Sequence, residues 1–293
     1  MNNIEKKITL YLLSKKGLDV LTYLIESKKS YLIKNIVVGI DKNVQNDYSS
    51  DIINLCKNNN LDYYFKKDQF EEGNFVIAIS WRWLIHTKNY LIVFHDSLLP
   101  KYRGFAPLVN ALINQEKFVG VTALKASDNY DEGDIILQES IPILYPIKIE
   151  NAIEKISALY KSICLKIFNL IETCKEFTSY KQENEKASYS LWRDEEDYKI
   201  NWNLDSQTIQ QFIYSLGYPY KGASSLMNGS KVRIIDCTIE TDVNIENRDV
   251  GKVIFMKDKM PVVVCGKGLL LLTKILDDNN NELYLNSFRT RFE

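Results

Sequence analysis

Histidine is scarce in this chain: 293 residues hold two, His86 and His95. Any imidazole chemistry must therefore occur at one of these positions. The five cysteines, Cys56, Cys164, Cys174, Cys237 and Cys265, form no CxxC pair and no Cys/His ligand spacing. That excludes the usual zinc arrangements, so reduced thiols and no metal site are expected. A formal net charge of −1 shows no basic excess, which argues against a broad nucleic-acid surface. Long apolar runs are missing as well. The run at 8–13 is broken by Lys15 and Lys16, so neither a signal peptide nor a membrane span is expected and the expected location is cytoplasmic. The turn after that run, Ser14-Lys15-Lys16-Gly17, lacks the glycine fingerprint of dinucleotide sites, and no P-loop occurs anywhere. NAD and ATP are accordingly not supported.

What is present is a globular composition, 45% apolar and 26% charged, with length for one large domain or two ordinary ones. Strand and helix signals alternate through the first half. Strands are expected at 8–13, 36–40 and 61–65, and helices at 17–27 and 50–58. The continuous apolar runs at 75–80 and 91–94 suit strands covered on both faces. Repeated β-α-β units predict an α/β fold with a Rossmann-like, mostly parallel sheet. Ligands in such sheets lie at the carboxyl ends of the strands, where Ser80 and His95 are expected. A helix at 106–113, strands at 119–124 and 135–143 and a long amphipathic helix at 149–176 follow. The polar stretch 181–186 reads as a linker. Beyond it come a helix at 207–216 and short strands at 231–235, 250–255, 262–264 and 269–273. They predict a smaller β-rich C-terminal domain, for which an OB-like barrel is one arrangement. The expected domains are 1–186 and 187–293.

The densest chemistry runs from Phe94-His95-Asp96-Ser97-Leu98-Leu99-Pro100-Lys101-Tyr102-Arg103-Gly104 to Asp131-Glu132-Gly133-Asp134. A histidine that moves protons needs orientation at its other nitrogen. Asp131 supplies it if the acidic turn folds back beside the strand end, and Gly133 permits a tight turn. Arg103-Gly104 at the mouth of the next helix favours an anion. The plainer alternative makes His95 a core residue and Asp131 a turn closure. His86 lacks such surroundings and reads as a surface residue.

The stretch resembles the folate-dependent formyltransferase family. The matching elements are His95, Ser97-Leu98-Leu99-Pro100, Arg103-Gly104, Pro107, Gly120-Val121-Thr122 and Asp131-Glu132-Gly133-Asp134, and the likeness covers most of residues 8–145. Val250-Gly251-Lys252-Val253-Ile254 and Val264-Cys265-Gly266-Lys267-Gly268-Leu269-Leu270-Leu271 look like the family's C-terminal barrel-like domain. The resemblance implies His95 and Asp131 as catalytic residues and N10-formyltetrahydrofolate as co-substrate, with no metal. It implies folate contacts from Ser80, Trp83, Leu84, Ile85, Leu99, Asp131 and Asp134. One position departs from the pattern: the family's Asn two residues before the His is Val93 here. Loss of such an oxyanion donor raises a barrier by about 3 kcal/mol. Asn110 and Asn129 are the candidate replacements.

Trp192-Arg193 with its acidic neighbours, Ile200-Asn201-Trp202 and Tyr218-Pro219-Tyr220-Lys221-Gly222-Ala223 resemble the sugar N-formyltransferase branch. That branch implies a nucleotide-linked amino-deoxy sugar as acceptor, dTDP-linked, for surface polysaccharide or O-antigen synthesis. Substrate contacts are then expected from Ser97, Lys101, Arg103, Trp192, Arg193, Tyr218 and Tyr220. Packing of the helix onto the sheet is the competing reading of the aromatics. Relatives that modify sugars are often dimeric, so a homodimer is implied as well. Two alternatives stand beside this reading. One is a methionyl-tRNA formyltransferase, disfavoured by the absent basic excess. The other is a non-catalytic folate or nucleotide-sugar binding relative that has lost the Asn.

Overall fold

Strand β1 (Ile8–Leu12) is buried along its whole length, and a seven-stranded sheet is laid out on either side of it. The computed structural model describes residues 7–173, 175–285 and 287–293. Expectations at residues 1–6 and at Cys174 lie outside the described residues.

After β1 come α1 (Ser14–Glu26), β2 (Ile33–Val38), α2 (Ser49–Asn58), β3 (Tyr63–Phe65), β4 (Phe75–Ile79) and β5 (Tyr90–His95). The short β6 (Arg103–Gly104), α3 (Pro107–Ile113), β7 (Phe118–Lys125), β8 (Ile135–Pro142), α4 (Ile149–Glu172) and β9 (Tyr189–Ser190) follow. The remainder is α5 (Ser206–Ser215), β10 (Ala223–Met227), β11 (Ser230–Glu240), β12 (Val253–Lys257), β13 (Met260–Val264) and β14 (Leu269–Asp277). The chain forms two compact units. One comprises residues up to Leu108, Phe118–Pro142 and Ile153–Leu191. The other comprises Val109–Lys117, Ile143–Ala152 and Trp192–Glu293.

The first unit holds the sheet, in the order β3-β2-β1-β4-β5-β7-β8. β1 through β5 pair in parallel, while β7 and β8 are antiparallel. The expectation of a mostly parallel, Rossmann-like sheet holds. Strand order reverses between β1 and β4, the kind of switch point at whose carboxyl edge ligands bind. Helix α1 turns Gly17, Val20, Leu21 and Leu24 inward, the spacing of one helical face. Helix α4 buries Ile156, Tyr160, Ile163, Ile167 and Phe168 in the same way. The stretch 181–186, read as a linker, is instead part of this unit and is tied to it by Gln182. Its charged composition hid two anchored residues, Gln182 and Asn184.

The second unit carries a five-stranded antiparallel sheet, β10-β11-β14-β13-β12. Residues 290–293 run between its two edges. Phe292 and Thr290 bond with Gly251 and Val253 on one side, and Glu293 bonds with Leu226 on the other. The arrangement is barrel-like, as the β-rich expectation proposed. β10 was not anticipated, because Ala223 reads as the end of the preceding aromatic loop. Trp202 settles as core: it is buried, packs its ring at a tilt against Phe292 and donates its indole N–H to Ser225.

Cys56, Cys164, Cys237 and Cys265 are free and buried, and burial pushes the Cys56 thiol up to about 12. They are poor nucleophiles there. Among the described residues no helix is long and apolar enough to cross a membrane, and no group of His, Cys, Asp or Glu has the makings of a metal site.

The end of β5 is fixed by a polar contact on the face opposite His95. Successive strand residues alternate faces, so Phe94 and Asp96 point toward α4. Phe94 stacks on Tyr160 with centroids 5.3 Å apart. Lys16 of α1 and the Tyr160 hydroxyl both donate to the Asp96 carboxylate. Burial opposes the charge of Asp96, but the charge and hydrogen bond of Lys16, with Tyr160, hold its pKa below the usual carboxylate value. Its contribution is therefore full above about pH 4 and is lost as the pH falls through the lowered folded value. Asp96→Asn leaves Lys16 without its charge partner and is expected to destabilise the chain by about 3 kcal/mol. Urea unfolding should show that gap at pH 7 and show it closing in acid. Equal stability at pH 7 would remove Asp96 from this role.

Candidate active site

His95 is the last residue of β5 and is only 7% exposed. Its backbone pairs with Thr122 of β7, which holds it at the edge of the sheet. Both ring nitrogens face oxygen. Nε2 lies 2.7 Å from the Tyr102 carbonyl, and Nδ1 lies 3.4 Å from Oδ1 of Asp131. The second distance is long for a hydrogen bond, but catalytic contacts commonly tighten only when substrate is bound. The other carboxylate oxygen of Asp131 accepts the Gly104 N–H at 2.8 Å. Asp131 thus bridges the imidazole and the loop behind it, as the folding-back of the acidic turn required.

Two glycines make this approach possible. Gly133 passes so close to β7 that a Cβ there would sit 1.7 Å from the Lys125 carbonyl. Gly104 has φ +98°, and a Cβ would lie 2.7 Å from the Ser190 carbonyl. Asp131 itself has φ +57°, a conformation that Asp tolerates better than most residues.

The loop between β5 and α3 is held from within. Thr122 Oγ1 donates to the Ser97 carbonyl at 2.7 Å and accepts the Leu99 N–H. The Gln138 amide donates to Thr122 Oγ1 and to the Leu99 carbonyl. Ser97, expected to touch substrate, is buried and donates its hydroxyl to the Lys101 carbonyl at 2.6 Å. Lys101 is exposed.

Arg103 differs most from expectation. It is not an open anion site: it is 1% exposed, and its guanidinium is taken up by neighbours. Nε and Nη2 donate to Gln182 Oε1 at 3.1 and 2.8 Å, and Nη2 also donates to Asn184. Nη1 reaches Glu132 and the Tyr189 hydroxyl, each at 3.2 Å. A buried guanidinium must satisfy its fork of donors inside the protein. Gln182, Asn184 and Tyr189 belong to a segment that the sequence marks only by charge, and nothing in their spacing signals the site.

The expected folate contacts fall into two groups. Leu99 and Asp131 lie at the His95 end of β5, whereas the Asp134 carbonyl accepts the Lys125 N–H and Asp134 lies toward Tyr90, at the start of the strand. Leu99 is buried with Leu124 and Ile135, and burial together with the charge of Asp134 raises the pKa of Tyr90. Ser80, Trp83, Leu84 and Ile85 form the loop after β4. Ser80 leaves the strand with φ +54°, Trp83 packs edge-on against Trp81, and Leu84 is 60% exposed. Ile85 joins the cluster of Tyr11, Val76 and Ala78. Val93 lies on the same face of β5 as His95 and packs against Leu99, Leu124 and Ile135. The place of the family Asn is an apolar wall. Of the two candidate replacements, Asn129 gives its amide to Glu132, and Asn110 accepts from Arg193 in the second unit.

The remaining expected substrate residues also lie in the second unit. Trp192 is 60% exposed and Tyr218 39%. Tyr220 is half-buried, and its N–H is bonded to the Gly217 carbonyl. Arg193 is half-buried, and burial lowers its pKa against the pull of Asp197. His86 is exposed, as read.

Residues 74–166 match the family model described as formyl transferase, and residues 193–293 match that of the formyl transferase C-terminal domain. The methionyl-tRNA formyltransferase of Thermodesulfovibrio yellowstonii is 30% identical over 229 residues, covering 75% of this chain and 72% of that protein. The methionyl-tRNA formyltransferase of Lactococcus lactis is 29% identical over 194 residues. The match covers 64% of this chain but only 58% of the length of the L. lactis protein. Among solved structures, WlaRD, a sugar 3N-formyl transferase crystallised in the presence of dTDP and 5-N-formyl-THF, superposes with a TM-score of 0.67 at 19% identity. That match covers 96% of this chain and 98% of WlaRD. A His–Asp pair at the end of β5 lies inside the matched region, and a similar enzyme is matched over most of its length: the chain belongs to the formyl transferase family, enzymes that transfer one-carbon groups.

Proposed function

We propose that the chain transfers a formyl group from N10-formyltetrahydrofolate to the amine of a nucleotide-linked amino-deoxy sugar, with a dTDP-linked sugar as the preferred acceptor. The observation that carries formyl transfer is the His95–Asp131 pair, held at the carboxyl edge of the sheet within the matched region. The acceptor amine attacks the formyl carbon, and the carbonyl oxygen becomes an oxyanion. Collapse of that intermediate breaks the bond to N10, and the proton lost by the amine is delivered to N10. His95 Nε2 exchanges the Tyr102 carbonyl for the reacting group and handles the proton. Asp131 steadies the ring from Nδ1. No step asks for a metal.

Val93 changes how the oxyanion is held. The apolar wall formed with Leu99, Leu124 and Ile135 offers no donor there, so the imidazole carries a larger share of the developing charge. Slow turnover follows from that.

The absent basic excess favours a small acceptor over tRNA. The exposed faces of Trp192 and Tyr218 suit stacking on a base. The near-complete length match to a sugar formyl transferase crystallised with dTDP supports the same reading. Methionyl-tRNA as acceptor is the second reading, favoured by the names of the sequence relatives.

Incubation with N10-formyltetrahydrofolate and a panel of nucleotide-linked amino sugars, with charged initiator tRNA alongside, should give formyl transfer to a sugar. Transfer to tRNA alone would replace this reading with the second. His95→Asn is expected to lower kcat by at least about 10²-fold without loss of the fold; near-normal turnover would take the proton-handling role away from His95. Val93→Asn should raise kcat, by up to about 10²-fold if the missing donor is limiting. It should also lower the melting temperature, since an amide enters an apolar wall. An unchanged kcat would mean that another group already holds the oxyanion.

A further inference from the structure

We propose that Gln182 is a positioning residue that sets the geometry of the His95–Asp131 pair, an inference that rests on the formyl-transfer reading of that pair. The acidic turn between β7 and β8 carries Asp131 outside the ladder of the sheet. Its backbone is tied at two carbonyls by the side chain of Gln182. The Gln182 amide donates to the Asp131 carbonyl at 2.7 Å and to the Gly133 carbonyl at 2.8 Å. The other end of the same amide accepts two hydrogen bonds from the buried Arg103. Only a group with both donor and acceptor ends can serve two carbonyls and a guanidinium at once.

The contacts close a ring. From Asp131 the path runs through Gln182 to Arg103, on to Gly104, and back to Asp131 through the Gly104 N–H. Tyr102, the residue before Arg103, holds His95 Nε2. Three consecutive residues therefore grip the imidazole at one end and the carboxylate at the other, and Gln182 locks the acidic turn against them. The flanking chain braces this lock. Tyr180 exchanges backbone bonds with Ile135, the Ser188 hydroxyl accepts the Tyr102 N–H, and β9 pairs with β6. Residues 180–190 form a strap that joins the two loops of the site, and Gln182 carries its hold on the backbone of the Asp131 turn. A displacement of that turn by about 1 Å suffices to lower turnover about 10²-fold.

The test uses two variants of the full chain. Gln182→Met keeps the length and removes every hydrogen bond. Gln182→Glu keeps the acceptor for Arg103 and removes both donors to the turn. With two histidines in the chain and His86 exposed, ring-proton NMR reads His95 against an internal control. In both variants the His95 ring signals should move in the direction seen for Asp131→Asn while those of His86 stay in place. The kcat for formyl transfer should fall at least about 10-fold, with the KM for the acceptor within about twofold. Wild-type His95 signals and wild-type kcat in folded Gln182→Glu would overturn the proposal, even if the melting temperature falls. Should Gln182→Met not fold, Gln182→Glu decides alone. Wild-type protein that transfers formyl to no acceptor refutes the proposed function, and the NMR comparison then still decides whether Gln182 sets the pair.

Discussion

The approach of the Asp131 carboxylate to His95 is the contact on which the site turns. An imidazole at the end of a buried strand has its backbone fixed by the sheet, yet its ring still rotates. A carboxylate on a separate loop is what orients it. That loop has no ladder to hold it, so the rest of the local structure supplies one. Gly133 lets the turn pass under β7, Gly104 brings its N–H to the carboxylate, and the strap at 180–190 ties both loops together.

Charge is distributed unevenly around the end of β5. On the His95 face, a buried Arg103 is satisfied by Gln182, Asn184, Glu132 and Tyr189. On the opposite face, Lys16 and Tyr160 satisfy Asp96. Each network is closed on itself, as burial demands of charged groups. On the His95 face, Val93 extends the apolar wall of Leu99, Leu124 and Ile135 up to the imidazole. That wall stands where the family resemblance places an asparagine, so the polar groups beside the imidazole come from Asp131 and the Tyr102 carbonyl and not from the strand itself.

Much of the fold was legible in the residues. Continuous apolar runs at 75–80 and 91–94 became β4 and β5, and the helical spacing around Tyr160 became α4. Those signals are local, set by periodicity and burial within one element. The pairing of His95 with Asp131 was legible as a possibility, since both residues and the enabling glycine stand in order along the chain. Arg103 was misread for a physical reason. An arginine beside a glycine before a helix fits an anion site equally well whether its donors are open or saturated, and only the partners from residues 182–189 decide which. Trp202 likewise carries the same letter whether it stacks on a ligand or packs against Phe292.

By itself the sequence determined which side chains could do chemistry, that strands and helices alternate, and that a valine stands two residues before His95, where the resemblance implies an asparagine. The tertiary structure alone decided which groups meet. It brought Gln182, far from Asp131 along the chain, onto the carbonyls of the acidic turn, and it buried the guanidinium that the sequence presents as available. Hydrogen bonds between distant segments depend on where loops are carried by the sheet, and no local pattern encodes that distance.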